Sequence, residues 1–150
     1  MSKRFIYLSN SFYERHPITE FPEIEGKVNR PYIQVCVLIN EIQYAIPLRS
    51  NINHPHVFWT DRENKCGVDF SKAVVIESRD YIDESRIPQL RQNEFNALKG
   101  QDNVIKRRFM IYIRKYQKAK QNLKDSRNHA LVSYSTLQYY EKYLPNTRSR

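Results

Sequence analysis

The sequence predicts an α+β domain, and three observations predict it. Strand-forming runs fall before residue 77, helical periodicity begins only after residue 85, and 150 residues suit one domain spanning 1–150. A chain of this length buries about two thirds of its unfolded surface, so it needs neither disulfides nor metal to fold.

Phe5 to Leu8 reads as an edge strand and Ser9-Asn10-Ser11 as a turn or helix start. Phe12-Tyr13 is then a short helical anchor before Pro17 and Pro22 impose extended chain. Tyr32 to Ile39 is rich in β-branched residues, and Asn40-Glu41 supplies a tight turn into Gln43-Tyr44-Ala45-Ile46, which makes a hairpin. Pro47 cannot donate to a sheet ladder and marks a strand end or bulge. Arg49, Ser50, Asn51 and His54 therefore follow on a surface connection held by a rigid element.

After the polar stretch 61–65, residues Gly67 to Ile76 read as a third strand entering the core, with Lys72 in its polar part. Pro88 suits a first helical turn, Leu90 and Leu98 bracket that segment, and Lys99-Gly100 closes it. A longer helix runs from about Asn103. Its apolar stripe is Ile105, Phe109, Tyr112, Ile113, Tyr116 and Leu123, while Arg107, Arg108, Arg114, Lys115 and Lys118 occupy other faces. Ser135-Thr136-Leu137-Gln138 has the form of a capping box that opens a last short helix through Tyr139, Tyr140 and Tyr143.

The net charge of +9 is unevenly placed. Residues 106–150 carry 12 basic side chains against Asp125 and Glu141, a net of +10, whereas the first 105 residues are near neutral. Such asymmetry points to a polyanion, and nucleic acid is the commonest one. Eleven tyrosines and seven phenylalanines beside this charge favour single-stranded RNA, whose unstacked bases sit on aromatic rings; Tyr13 and Tyr32 are the best exposed candidates. Cys36 and Cys66 make no disulfide framework, and no apolar run approaches the roughly 20 residues of a membrane span. With no apolar signal-peptide core at the amino terminus, a cytoplasmic protein that does not engage membranes is expected.

Gly26, Gly67 and Gly100 lie too far apart to form a phosphate-binding loop. His54-Pro55-His56, even with Cys66 and Asp69 nearby, lacks metal-ligand spacing, so neither a metal nor another cofactor is expected. What remains is chemistry that Ser, Arg, Lys and His perform on a phosphodiester without metal. In RNA the ribose 2′-hydroxyl is the nucleophile, and the protein need only hold an in-line geometry, move protons and place cations against the developing charge. Arg49 and Lys72 supply charge, His54 is the proton shuttle by its ordinary pKa, and Ser50 donates a hydrogen bond to a phosphoryl oxygen or to the attacking group.

Three motifs carry a resemblance: Ser9-x-x-Phe12-Tyr13, Ala45-Ile46-Pro47-Leu48-Arg49-Ser50-Asn51-Ile52-x-His54, and Gly67-x-Asp69-Phe70-x-Lys72-Ala73. With them the chain resembles the endoribonuclease toxins of type III toxin–antitoxin systems, the ToxN, AbiQ and TenpN group, and is most similar to the TenpN branch. The resemblance implies a compact, partly closed antiparallel sheet like the barrel of the MazF and Kid toxins, with helices packed around it. It implies metal-independent, sequence-specific cleavage of mRNA that leaves a 2′,3′-cyclic phosphate. It also implies inhibition by a small pseudoknot-like RNA antitoxin in a protein–RNA hetero-oligomer, and a role in abortive infection.

The family's active-site serine falls on Ser50 and its lysine before the third long strand on Lys72; Arg30 sits near a family basic position. Where ToxN has threonine before the serine this chain has Arg49, and the lysine after it is replaced by Asn51 and Ile52. Expected RNA contacts are thus Arg30, Tyr32, Asn51, Tyr13, Asp69, Arg107, Arg108, Arg114, Lys115 and Lys118. A non-catalytic nucleic-acid-binding module is the alternative. A third reading makes the basic tail a docking surface for an acidic protein.

Overall fold

The computed structural model describes residues 4–24 and 31–146. Arg30, expected to contact RNA, lies outside them.

The order of elements is strands first and helices afterwards. Strands β1 (Phe5–Ile6), β2 (Gln34–Ile39), β3 (Ile42–Arg49), β4 (Val57–Asp61), β5 (Cys66–Asp69) and β6 (Val74–Val75) form one antiparallel sheet in the order β1-β2-β3-β5-β4, with β6 also on β3. Helix α1 (Asn10–Arg15) follows β1, and α2 (Gln92–Leu98), α3 (Asp102–Lys120) and α4 (Ser126–Tyr134) make the second half. The sheet is open: β1 and β4 are its ends, and among the described residues no strand pairing closes it into the expected barrel. No helix among the described residues is long and apolar enough to cross a membrane.

Asn40 and Glu41 both take positive φ, 50° and 67°, which is the twist that a two-residue hairpin between right-twisted strands demands. The register Gln34↔Pro47 through Ile39↔Ile42 follows. Pro47 does not end β3, contrary to expectation. Leu48 N donates to Ile33 O, which puts Pro47 at a position that owes β2 no hydrogen bond. On the other edge, β3 pairs with β6 at Tyr44 and Ala45 and with β5 at Leu48 and Arg49. Pro47 sits at the changeover, where a missing N–H breaks no ladder.

Three further differences share one theme, local hydrogen bonding overriding pattern. The expected third strand is broken in two because the Asp69 carboxylate accepts from Ser71 N at 3.0 Å and caps a 3₁₀ turn over Phe70–Lys72. Residues 17–21 turn instead of extending, since Glu20 N and Phe21 N both donate to Pro17 O. The helix expected from Pro88 starts at Gln92, where the Glu94 carboxylate accepts from Arg91 N.

The core is the sheet face covered by α3. Ile105, Phe109, Tyr112, Ile113 and Tyr116 are buried as their spacing predicts, and Phe109 meets Tyr44 edge-to-face at 5.1 Å. Leu123 lies beyond the helix and is 41% exposed. Ser9 caps α1, and Gly100 leaves α2 with φ +72°, a left-handed backbone that favours glycine. Ser135 caps the 3₁₀ turn Thr136–Tyr139, and its hydroxyl accepts from Tyr112 at 2.7 Å. Thr136 donates to Ser71 O and Ala73 O, so the carboxyl-terminal turn buttresses the strand break at 70–73.

Candidate active site

The carboxyl end of β3 enters a short loop that the fold holds in three places. Asn51 turns it with φ 57°, a left-handed conformation that asparagine tolerates better than most residues. Ile52 is 2% exposed, and its N–H donates to Lys65 O in the β4–β5 turn. Lys65 Nζ also donates to Asn53 Oδ1 at 3.1 Å. Ser50 is exposed at the top of this loop, and its hydroxyl makes no hydrogen bond to the described residues.

Beneath the loop lies a buried ionic network centred on Asp69. Arg49 Nη1 reaches Asp69 Oδ2 at 2.5 Å; His54 Nε2 stands 3.1 Å from Oδ1, and Ser71 Oγ donates to the same oxygen at 2.6 Å. Asp69 is 0% exposed. Burial pushes its carboxyl upward, but hydrogen bonding and charge from His54, together with Ser71 and Arg49, outweigh that and hold it below the ordinary value.

Nδ1 of His54 accepts from His56 N at 3.0 Å, so in the neutral ring the proton lies on Nε2, facing Asp69. Both nitrogens are committed. Ser71 Oγ approaches that same Nε2 at 3.2 Å and is buried, so Ser71, His54 and Asp69 are not arranged as a hydrolase triad, in which serine and aspartate take opposite ring nitrogens.

The network walls an open groove of about 850 Å³, lined by Arg49, Asn51, Asn53, His54, His56 and Ser71 on one side and by Arg127, Leu131, Ser133 and Tyr134 of α4 on the other. His56 is the imidazole that sequence reasoning set aside with the metal question. Its ring stacks on His54 with centroids 5.5 Å apart and lines both this groove and a second one. Burial first, then the charges of His54 and Lys115, lower its pKa against an opposing pull from Asp69.

Lys72 is 7% exposed. Its Nζ donates to Tyr134 O at 3.0 Å, at the carboxyl end of α4, and lies 3.7 Å from the Tyr134 ring centre. With Arg49, Tyr13 and Tyr32 it lines a water-sized cavity of about 20 Å³. Tyr13 and Tyr32 are half-buried there, not the exposed platforms expected, and burial pushes the Tyr13 hydroxyl up to about 12. Asp69, expected among the RNA contacts, is instead the buried anchor of Arg49 and His54.

The five cations of α3 expected to contact RNA are all exposed. Arg107, Arg114 and Lys118 recur at seven- and four-residue steps and form one stripe, while Arg108 and Lys115, one position further on, line the second groove. The fold therefore gathers Arg49, Asn51, His54 and His56 around one groove, with Ser50 exposed on the loop between Arg49 and Asn51, Lys72 in the adjoining small cavity, and Arg108 and Lys115 in the second groove.

Helix α4 and strand β4 complete these walls, and sequence reasoning missed both. The signals present were Val57-Phe58-Trp59-Thr60, a run of strand formers, and Asp125, whose carboxylate caps α4 by accepting from Arg127 N and Asn128 N. Among the described residues no three His, Cys, Asp or Glu side chains cluster as metal ligands. Comparison of the chain with family models, curated proteins and solved structures finds no match.

Proposed function

We propose that this protein is a metal-independent endoribonuclease of the type III toxin kind, whose active site is the groove between the Ser50 loop and α4. One observation carries the reading: the groove joins a guanidinium locked to a buried carboxylate and an imidazole, and the exposed Ser50 sits on the loop between the lining residues Arg49 and Asn51. A guanidinium held at 2.5 Å from Asp69 is pre-oriented, so its charge faces a phosphate at little entropic cost.

In the proposed reaction the 2′-oxygen attacks phosphorus while its proton passes to His56, whose lowered pKa favours the neutral, accepting form. The bond from phosphorus to the 5′-oxygen breaks, and that oxygen takes up a proton from solvent or from the imidazolium. A 2′,3′-cyclic phosphate and a 5′-hydroxyl result, with no further reactant. Arg49 and Ser50 stabilise the charge on the phosphoryl oxygens, and His54 keeps Asp69 and the loop in register. Lys72, pinned to α4, couples the two walls of the groove.

The reading carries with it a structured RNA inhibitor seated in the same groove, a protein–RNA assembly and a defence role. The +10 charge of residues 106–150 suits an RNA ligand whose affinity falls steeply with salt. A barrel-like wrap of the sheet belongs to it as well, and the change of partner along β3 from β6 to β5 supports it.

Incubating the protein and its Ser50→Ala variant with cellular RNA in EDTA tests the reading. Site-specific fragments ending in cyclic phosphate, from the parent alone, are the expected result. RNA bound without scission by the parent would leave a nucleic-acid-binding module in its place.

A further inference from the structure

We propose that the second groove, between β4 and α3, is a stacking subsite that receives one unpaired base of the RNA on the indole of Trp59, with Arg108 and Lys115 meeting the adjoining phosphates. The inference rests on RNA being the ligand of the first groove and extends the path of the strand beyond it.

The groove has a volume of about 420 Å³. Trp59 forms part of its wall, and the Arg62 guanidinium stands 5.6 Å from the indole centre. The indole is half-buried, and the register leaves it without a cross-strand side chain. Gly67 lies opposite Trp59 across the β4–β5 pair, so the neighbouring strand extends no side chain over it. The facing wall comes from α3, where Arg108, Ile111 and Lys115 recur at three- and four-residue steps on one side of the helix, and Ile111 is 42% exposed. No acidic side chain lines the groove.

Three cations, an indole and an aliphatic side chain are the components of a base-stacking site: a flat apolar surface for the ring and positive charge for the backbone. An acidic peptide would meet the same positive charge, but only a nucleotide brings both a phosphate for the cations and a flat ring for the indole. His56 and Tyr112 line both grooves, so the two adjoin at these residues. A strand whose scissile phosphate lies at His56 thus runs directly onto Trp59, and the base held there sets the register of cleavage.

Trp59 is the sole tryptophan in the chain, so intrinsic emission reports this site alone. The Ser50→Ala protein, chosen to prevent cleavage, is titrated with a fluorescein-labelled octauridylate, and separately with the unlabelled oligomer and with inorganic polyphosphate. Tryptophan emission is expected to fall as the unlabelled oligomer binds, over the range in which the labelled probe's anisotropy rises. Polyphosphate should compete for binding without that quench. Trp59→Leu should lose tenfold or more in affinity for octauridylate, since stacking is worth about 1–3 kcal/mol per base, and Trp59→Phe should recover most of it. Unchanged polyphosphate affinity of Trp59→Leu would show that its basic face is intact.

RNA binding at constant emission, or equal RNA affinity in Trp59→Leu, would overturn the subsite. Cleavage by the parent in EDTA would then still stand, so failure of the subsite and failure of the ribonuclease reading are separately visible. Absence of any RNA binding would overturn both.

Discussion

Arg49 and Asp69, twenty residues apart, meet at 2.5 Å with the carboxylate fully buried, and this pair welds the end of the central strand to the cap of the 3₁₀ turn that follows β5. The same carboxylate takes the Nε2–H of His54. Asp69→Asn therefore removes the anion from a site built around it and takes from the largely buried Arg49 its ion pair with this carboxylate. Breaking a buried pair in this way costs about 3 kcal/mol or more. Urea denaturation should show a loss of that order, and residual ribonuclease activity should fall with it because Arg49 is no longer held.

Ser50→Ala is the opposite case. The hydroxyl is exposed and unbonded to the described residues, so its removal should shift stability by no more than about 0.5 kcal/mol. Cleavage in EDTA should nevertheless disappear, while RNA affinity measured by anisotropy stays within a few-fold. A variant as active as the parent would remove Ser50 from the mechanism.

Acid should weaken the fold in two stages, and the signs follow from linkage. The folded pKa of His56 lies below the ordinary value of 6.5, so the unfolded chain binds more protons between the two values. The contribution of His56 is complete above pH 6.5 and declines as pH falls below it. Asp69 is likewise lowered from 3.8: its contribution is present above that value and is lost as pH falls through the folded pKa. Urea midpoints followed down the pH scale should show a shallower decline below pH 6.5 in His56→Gln than in the parent. His56→Gln should also lose cleavage at every pH with its RNA affinity retained.

Much of the fold was legible because local rules govern it. The Asn40-Glu41 hairpin and the stripe from Ile105 to Tyr116 are periodicity and turn chemistry written directly in the chain. The break at Asp69 was not legible, because strand pattern and capping compete there, and the winner is decided by Ser71 N, Arg49 and His54 converging in space. Position 56 shows the same limit for the site: His54-Pro55-His56 names two imidazoles, but which one stays open depends on a backbone N–H donated to the other. Openness of the sheet is likewise a property of strand number and curvature, not of any segment.

Gly67 ties fold to function, and its substitution is predicted to be costly. A Cβ at Gly67 would stand 2.4 Å from Phe58 O and 2.8 Å from Val57 Cγ2, and the first of these is backbone within the β4–β5 ladder, which cannot swing aside. Gly67→Ala must therefore push β4 away from β5. Overpacking of this kind costs about 1–3 kcal/mol, and that loss should appear in the urea midpoint. Because Trp59 pairs with Gly67 and Arg49 pairs with it from the other side, the displacement reaches both grooves. Trp59 emission should shift in the folded variant, and RNA affinity should fall more than in Ser50→Ala. Native emission at full stability would show that the strands yield there without cost.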